Sequence, residues 1–94
     1  MSEVTVVARA KFRAGTEEEA ERALRANAEA SRSEEGCVSY SVLRGDGGVF
    51  MTVERWRTRA DADQHMTTPH VQQLFAAITP FLDGAPEITV FREV

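Results

Sequence analysis

The sequence has little cysteine and no long apolar run. Cys37 is the single cysteine, so no internal disulfide can form, and one cysteine with two histidines cannot complete a four-ligand structural zinc site. No segment approaches the roughly 20 apolar residues of a membrane span, and the first residues lack the basic and apolar segments of a signal peptide. We therefore expect no membrane partner and a reducing, cytoplasmic location.

Basic residues are in the minority as well. The chain has 11 lysines and arginines against 15 aspartates and glutamates, a formal net charge of −4. Nucleic-acid binding normally shows as a basic excess, so we expect no nucleic-acid partner. The composition, 43% hydrophobic and 28% charged, is that of an ordinary globular protein, and 94 residues suffice for one domain, 1–94.

Strand-like and helix-like hydrophobic patterns follow one another along the chain. A period of two indicates strands, and apolar residues spaced three and four apart indicate helices. The predicted elements are a strand 4–12, a helix from 17 to before 36, strands 37–44 and 49–57, a short helix 59–66, a helix from 69 to about 82, and a strand 87–92. The order β-α-β-β-α-β is ferredoxin-like, an α+β fold with helices on one face of an antiparallel sheet.

Three threonines are predicted to begin helices, and one of them, Thr58, would cap the short helix that starts at residue 59. Thr16, with Glu19 three residues later, forms the pattern of a capping box. Thr68 followed by Pro69 supplies an N-cap and a first-turn proline for the last helix.

The second and third strands form a predicted hairpin, and its register decides which residues face the helices. If Arg44 pairs with Val49, one apolar patch forms on the uncovered face of the sheet. That patch comprises Val38, Tyr40, Val42, Val49, Met51 and Val53. An uncovered apolar face of this size indicates a homodimer that packs sheet to sheet with twofold symmetry. A register shifted by one residue would exchange the two faces.

The other face of the hairpin is predicted to line a cleft beneath the helices. In the same register Cys37 lies opposite Trp56, and Ser39 lies opposite Glu54, so small residues face large ones and leave room for a ligand. The expected lining is Phe50, Thr52, Glu54, Trp56, Ala8 and the inner stripe of the last helix.

Both histidines are candidate functional residues. His65 shares a helix face with Ala62 and Met66, and a histidine in an apolar cleft can accept a proton near pH 7. The alternative is a hydrogen-bonded structural histidine. His70 lies in the first turn of the last helix, where it is either a neutral donor or acceptor at the cleft mouth or a solvated helix-end residue.

Other polar residues also have two interpretations each. Trp56 could stack on a planar aromatic substrate or pack in the core. Glu54 could be a base if desolvated, although pairing with a cross-strand Arg or Lys is the commoner arrangement. Asn27 and Ser31 could be pocket groups, or could bond to backbone near the helix end. Cys37 has no adjacent base and is expected to be a small strand residue rather than a nucleophile.

Motifs for other chemistry are absent from the sequence. It has no Gly-rich phosphate loop, no nucleophile elbow and no dinucleotide fingerprint. Two histidines without a clustered set of carboxylates predict that no catalytic metal is bound.

Three segments resemble the antibiotic biosynthesis monooxygenase (ABM) family, especially its small quinol-monooxygenase-like members. They are Glu35-Gly36-Cys37-Val38-Ser39-Tyr40, Val53-Glu54-Arg55-Trp56 and His65-Met66-Thr67-Thr68-Pro69-His70, within a resemblance that runs from Val4 to Val94. The resemblance implies a dimeric α+β barrel built from ferredoxin-like protomers.

The resemblance implies several activities. Polyketide-modifying members oxygenate phenols, quinols or anthrones without metal or flavin, and Trp56 matches their strand-end tryptophan, while Thr52 and Ala62 replace their asparagine and tyrosine. A haem-degrading branch uses three positions that hold other residues in this chain, namely Ala8, His65 and Phe75. A third branch isomerises or epimerises a small phosphorylated sugar, and a fourth alternative is a non-enzymatic stress-response barrel.

We therefore expect a cofactor-independent monooxygenase that oxidises a small quinol- or polyphenol-like aromatic with O2. The residues expected to act are His65 as proton carrier, Trp56, Phe50 and Phe75 around the ring, His70 at a substrate oxygen, and Thr52 and Glu54 elsewhere in the substrate site. The alternatives are an isomerase or epimerase that uses His65 for proton transfer, and a non-catalytic stress-response or ligand-binding dimeric barrel.

Overall fold

The chain folds into a four-stranded antiparallel sheet with its helices on one face. The computed structural model describes residues 2–94. The elements are β1 (Val4–Lys11), α1 (Glu17–Arg32), β2 (Cys37–Arg44), β3 (Val49–Trp56), α2 (Arg59–His65), α3 (Pro69–Ile78), a 3-10 turn (Thr79–Phe81) and β4 (Glu87–Arg92). The strand order is β2-β3-β1-β4, which confirms the predicted ferredoxin-like α+β fold. Within residues 2–94 no helix is both long and apolar enough to cross a membrane.

The helix boundaries follow the predicted signals with two exceptions. Thr68 caps α3 by accepting a backbone N–H of its first turn. The Thr16 hydroxyl instead donates to the carbonyl of Arg13, so α1 begins at the predicted residue without the predicted capping box. Helix α3 ends at Ile78 rather than near residue 82. Pro80 explains the early end, because proline lacks the N–H that a helix interior needs and its ring clashes with the preceding turn.

The register of the β2–β3 hairpin differs from the prediction by one residue. Arg44 pairs with Phe50 rather than with Val49, so Tyr40 and Val42 lie on the helix side of the sheet. The predicted apolar patch is therefore wrong in these two members. Ser39 is also displaced, since its partner on β3 is residue 55 rather than residue 54.

The hairpin loop causes this shift. Its closing hydrogen bond runs from the Gly45 N–H to the Val49 carbonyl (2.8 Å), so Gly45 rather than Arg44 faces Val49. Gly47 and Gly48 both have positive φ angles, 71° and 82°, which residues with a side chain rarely adopt. The Gly48 carbonyl accepts the Phe12 N–H at 2.9 Å, which ties the loop to the end of β1.

A β-bulge in β2 removes the shift again near the start of the strand. The pairing is irregular between Cys37 and Ser39, and Cys37 lies opposite Trp56 as predicted. The two ends of the hairpin consequently follow different registers, which no single alternating pattern could predict.

The uncovered face of the sheet is still partly apolar, with a different composition from the one predicted. The strand registers place Val7, Leu43, Val49, Met51, Val53 and Phe91 on it. We call these six residues the open-face patch. Leu43 and Phe91 are about half exposed, at 50% and 51%.

The core lies between the sheet and the helices and has a polar row within it. One apolar cluster surrounds Trp56 and Tyr40, and another surrounds Phe12 and Phe50, whose rings meet edge to face at 5.5 Å. The buried polar side chains are Asn27, Ser31, Thr52, Glu54 and His65. Because buried polar groups are costly unless paired, their arrangement locates the candidate site.

Candidate active site

A small cleft lies between the sheet and α3, with about 60 Å³ of free space. Ala8 and Ala10 on β1 leave this space open, and Phe50, Leu74 and Phe75 are among its apolar walls. Its polar lining includes Asn27, Tyr40, Thr52, Glu54 and His65. Phe50, Thr52, Glu54, Phe75 and His65 therefore lie where the sequence placed them, and an apolar cleft with a few polar groups is the usual form of a small-molecule site.

His65, the last residue of α2, is held between two carboxylates. Its Nδ1 lies 2.6 Å from Oε2 of Glu34, a hydrogen bond, and its Nε2 lies 3.7 Å from Oε1 of Glu54, too far for one. The His65 side chain is only 4% exposed. An ionised carboxylate can only accept, so towards ionised Glu34 Nδ1 carries the hydrogen of this bond, and a neutral ring then has its lone pair on Nε2, the nitrogen nearer to Glu54.

Glu34 joins the two histidines, and it was not among the residues predicted from the sequence. Its Oε2 lies 2.8 Å from His70 Nε2 as well as 2.6 Å from His65 Nδ1. Its backbone is fixed just after α1, where its N–H donates to the Ser31 carbonyl. The two histidines are 31 and 36 residues further along the chain, so no local spacing marks Glu34.

The three side chains form a hydrogen-bonded cluster. Their nearest ligating atoms all lie within 4.8 Å of one another, a proximity of carboxylate and histidines that the sequence analysis did not foresee. Two ligands on one ion, with bonds of about 2.0–2.1 Å, lie about 3 Å or more apart. The oxygen–nitrogen separations of 2.6 and 2.8 Å are shorter, so the cluster would have to open to hold a metal.

Glu54 is buried, and each of its oxygens accepts one hydrogen bond from a neutral donor. Its Oε2 accepts the Thr52 hydroxyl at 2.9 Å, and its Oε1 accepts the Trp56 indole N–H at 3.1 Å. Its neighbours across the sheet are Val6 and Tyr40. The predicted cross-strand Arg or Lys partner is wrong, since no basic side chain other than His65 approaches Glu54 within residues 2–94.

Trp56 supports the site from beneath and does not line the cleft. It is 1% exposed, and its ring packs on His65 with centroids 4.6 Å apart and planes inclined by 34°. It cannot stack on a ligand in the cleft as it stands. His70 is likewise absent from the cleft lining and turns to Glu34 instead.

Asn27 and Tyr40 form a second polar pair in the cleft. The Asn27 amide donates to the Tyr40 hydroxyl at 3.0 Å, and its Oδ1 has no hydrogen-bond partner in the described part of the chain. Burial, and then the charge of Glu54, raise the pKa of Tyr40 well above its ordinary value. The hydroxyl therefore stays protonated at neutral pH. Ser31 takes the other predicted alternative and donates to the backbone carbonyl of Asn27.

The sequence was compared with models of known protein families to find the family to which this chain belongs. The family model described as antibiotic biosynthesis monooxygenase matches residues 3–77, which include both histidines, both site carboxylates and most of the cleft lining. The chain belongs to this ABM family. The resemblance read from the three sequence segments is confirmed.

Two curated proteins are similar to this chain in sequence. The protein sll1783 of Synechocystis is 35% identical over 66 residues, 68% of this chain and 45% of that protein. Rv0793 of Mycobacterium tuberculosis is 34% identical over 61 residues, 64% of this chain and 60% of that protein. In these alignments the chain thus spans about half the length of the curated relatives.

Solved structures extend the agreement over the whole fold. The structure of Rv0793 has a TM-score of 0.92 at 31% identity, covering 99% of this chain and 96% of that chain. PA3566 of Pseudomonas aeruginosa has a TM-score of 0.88 at 28% identity, covering 100% and 96%.

Proposed function

We propose that this ABM protein is a monooxygenase that oxidises a small quinol- or polyphenol-like aromatic with O2, without metal or flavin. The observation that supports this proposal is the division of the cleft into apolar walls and a polar group of residues around His65. An aromatic ring would lie against Phe50 and Phe75, with its hydroxyl towards His65. Apolar walls also exclude water from the anion that the reaction requires.

In the proposed reaction the substrate supplies the electrons. Loss of the hydroxyl proton leaves an electron-rich ring anion, which transfers electrons to O2 and forms a carbon–oxygen bond. The resulting peroxide then loses its outer oxygen. For a simple phenol the balance is one phenol and one O2 to one quinone and one water, so one oxygen atom enters the ring and the other leaves with two hydrogens.

His65 would be the proton carrier of this reaction. Its bond to Glu34 leaves Nε2 free to accept the hydroxyl proton, and the nearby charge of Glu54 would stabilise the imidazolium that forms. Tyr40 and Asn27 each offer a polar hydrogen at the same group of residues, and either could stabilise the ring anion. Trp56 would act only through His65, by supporting its ring.

Oxygen uptake tests the proposal. Chelator-treated protein is supplied with a panel of quinols and anthrones, and oxygen consumption is compared with the autoxidation of each substrate. We expect protein-dependent uptake with a quinone product that has gained one oxygen atom, measured by mass spectrometry. We expect this activity to be lost in His65→Gln, whose amide can still donate to Glu34. Gln64→Ala, an exposed change on the same helix, is the control. Full activity of a folded His65→Gln variant would refute the proton-carrier role, and no uptake across the panel would count against the monooxygenase.

The flanking of His65 by two carboxylates favours a second candidate, an isomerase or epimerase. Such an enzyme removes a proton from one carbon and returns it to another, and a histidine beside a carboxylate can do both. Solvent deuterium appearing in a substrate without oxygen consumption would favour it. Retention of a ligand without any turnover would favour the non-catalytic binding protein.

We also propose that the protein forms a homodimer through the open-face patch. Two patches in contact would remove exposed Leu43 and Phe91 from water. Sedimentation equilibrium tests this, with Met51→Glu expected to weaken association because it places a charge in the patch. A stable wild-type monomer at micromolar concentration would overturn the proposal.

A further inference from the structure

The single Glu34 oxygen that contacts both histidines carries a further inference. Its distances to His65 Nδ1 and His70 Nε2 are 2.6 and 2.8 Å, and the three side chains come from the turn after α1, from α2 and from α3. Side-chain exposure rises outward from 4% at His65 to 17% at Glu34 and 22% at His70. A buried histidine is thus connected, through one carboxylate, to a histidine at the surface.

We infer that Glu34 and His70 are positioning residues that fix the orientation and tautomer of His65. The inference rests on the proposed function, in which Nε2 of His65 accepts the substrate's proton. That nitrogen can accept only while the ring's hydrogen is on Nδ1, and a carboxylate facing Nδ1 enforces this arrangement. A ring with its hydrogen on Nε2 would present a donor to the cleft and could not take up the proton.

His70 has the separate task of holding Glu34. A lone glutamate after a helix end could rotate towards solvent, because its side chain is long and only partly buried. The N–H of His70 on the same oxygen restrains that rotation and adds a second donor to the carboxylate. His70 acts on His65 through this oxygen and has no contact with the cleft.

Of the side chains around His65, only Glu34 is placed to determine which ring nitrogen carries the hydrogen. The ionisable side chains around the ring are Glu34, Glu54, Tyr40 and His70, with the last two rings each 5.8 Å from it, centroid to centroid. Glu54 lies 3.7 Å from His65 Nε2, too far for a hydrogen bond, and its oxygens accept the Thr52 hydroxyl and the Trp56 indole instead. Only the Glu34 contact is short enough to select one ring nitrogen.

The first test is the tautomer itself, measured by two-bond proton–nitrogen NMR. The chain has only two histidines, so a His70→Gln variant assigns both rings. We expect His65 to carry its hydrogen on Nδ1 in the wild type. In Glu34→Gln the amide can donate to Nδ1, and the hydrogen should move to Nε2 or become shared between the nitrogens. The exposed change Glu29→Gln on α1 should leave the spectrum unaltered. A wild-type His65 with its hydrogen on Nε2 would overturn the inference.

The second test is kinetic and uses any substrate found by oxygen uptake. Glu34→Gln should lower kcat on the order of 100-fold with KM little changed, because a wrong tautomer removes the proton acceptor and leaves the walls intact. His70→Ala should lower kcat less, and His70→Gln, whose amide can still donate to Glu34, should restore most of the loss. Equal losses in His70→Ala and His70→Gln would refute the role of His70. If no substrate is oxidised, the proposed function fails while the NMR result still decides the tautomer.

Discussion

Tyr40 is the single tyrosine of the chain, so its ionisation can be followed without interference from another phenol. Its side chain is buried between β2 and the helices, and its hydroxyl accepts the Asn27 amide. Burial, and then the charge of Glu54, hold its pKa well above the ordinary value of 10.0. We predict that the folded protein keeps this hydroxyl protonated at pH values where the unfolded chain has lost the proton.

The size of the effect on stability follows from proton linkage. Below about pH 10 both states keep the phenol proton, and Tyr40 makes no pH-dependent contribution. Above it the unfolded chain releases the proton and the folded protein does not. The free energy of unfolding should therefore fall by about 1.4 kcal/mol per pH unit, until the pKa of the folded state is reached. In a domain of this size each kcal/mol corresponds to about 4–8 °C in Tm.

The assay combines tyrosinate absorbance with circular dichroism during an alkaline titration. Tyrosinate should appear only as the fold is lost, whereas in denaturant it should appear near pH 10. Tyr40→Phe is the matched control, because it lacks the phenol and should lose the corresponding part of the pH slope. Glu54→Gln should allow ionisation at lower pH than in the wild type, since one negative charge near the phenolate is removed.

One result would refute this reasoning. If tyrosinate appears near pH 10 while circular dichroism still reports the native fold, the hydroxyl is not desolvated in the way described. A pH slope that is the same in wild type and Tyr40→Phe would show that other groups control alkaline stability.

Three further predictions follow from local packing, one on thiol reactivity and two on stability. Burial and the charges of nearby carboxylates raise the pKa of the Cys37 thiol, so it should react slowly with thiol reagents at neutral pH and rapidly once unfolded. Gly36→Ala should lower the free energy of unfolding by about 1–3 kcal/mol, because a Cβ there would overlap the Asp61 side chain on α2. Gly45→Ala is the control, since a Cβ at residue 45 would meet only ordinary van der Waals contacts, and its stability should change little. Phe50→Ala should cost about 3–5 kcal/mol, because the ring is 1% exposed. Urea unfolding measures the last two.

Each of these has a contrary outcome. Rapid labelling of Cys37 in the native protein would mean that the thiol is more accessible than its half-buried position indicates. Equal stabilities of Gly36→Ala and Gly45→Ala would show that α2 moves without cost. A Phe50→Ala variant as stable as the wild type would contradict the placement of this ring in the core.

Much of the fold was predictable because its signals are local. The alternation in 4–12, the turn at residues 45–48 and the Thr68-Pro69 pair each act within a few residues. The order of elements, and hence the ferredoxin-like fold, followed from them. The early end of α3 is also a local effect of Pro80, although the apolar stripe continues to Leu82 and by itself predicts a longer helix.

The candidate site was predictable only in part. His65, Glu54 and Phe50 were identified because helix and strand parity direct them inward. Tyr40 lies on the opposite face from the one predicted, since the loop at residues 45–48 and a bulge set the register of its strand. Trp56 was expected against a ligand and lies instead beneath His65.

The sequence by itself determined the elements, their order and the family, because these depend on neighbours along the chain. Only the tertiary structure decided that Glu34 meets two histidines 31 and 36 residues away, and that one oxygen serves both. The physical reason is that a hydrogen bond depends on distances of a few tenths of an ångström, whereas periodicity fixes only which side of an element a residue faces. The polar surroundings of His65 therefore depend on how the turn after α1 packs against α2 and α3, and no sequence motif specifies them.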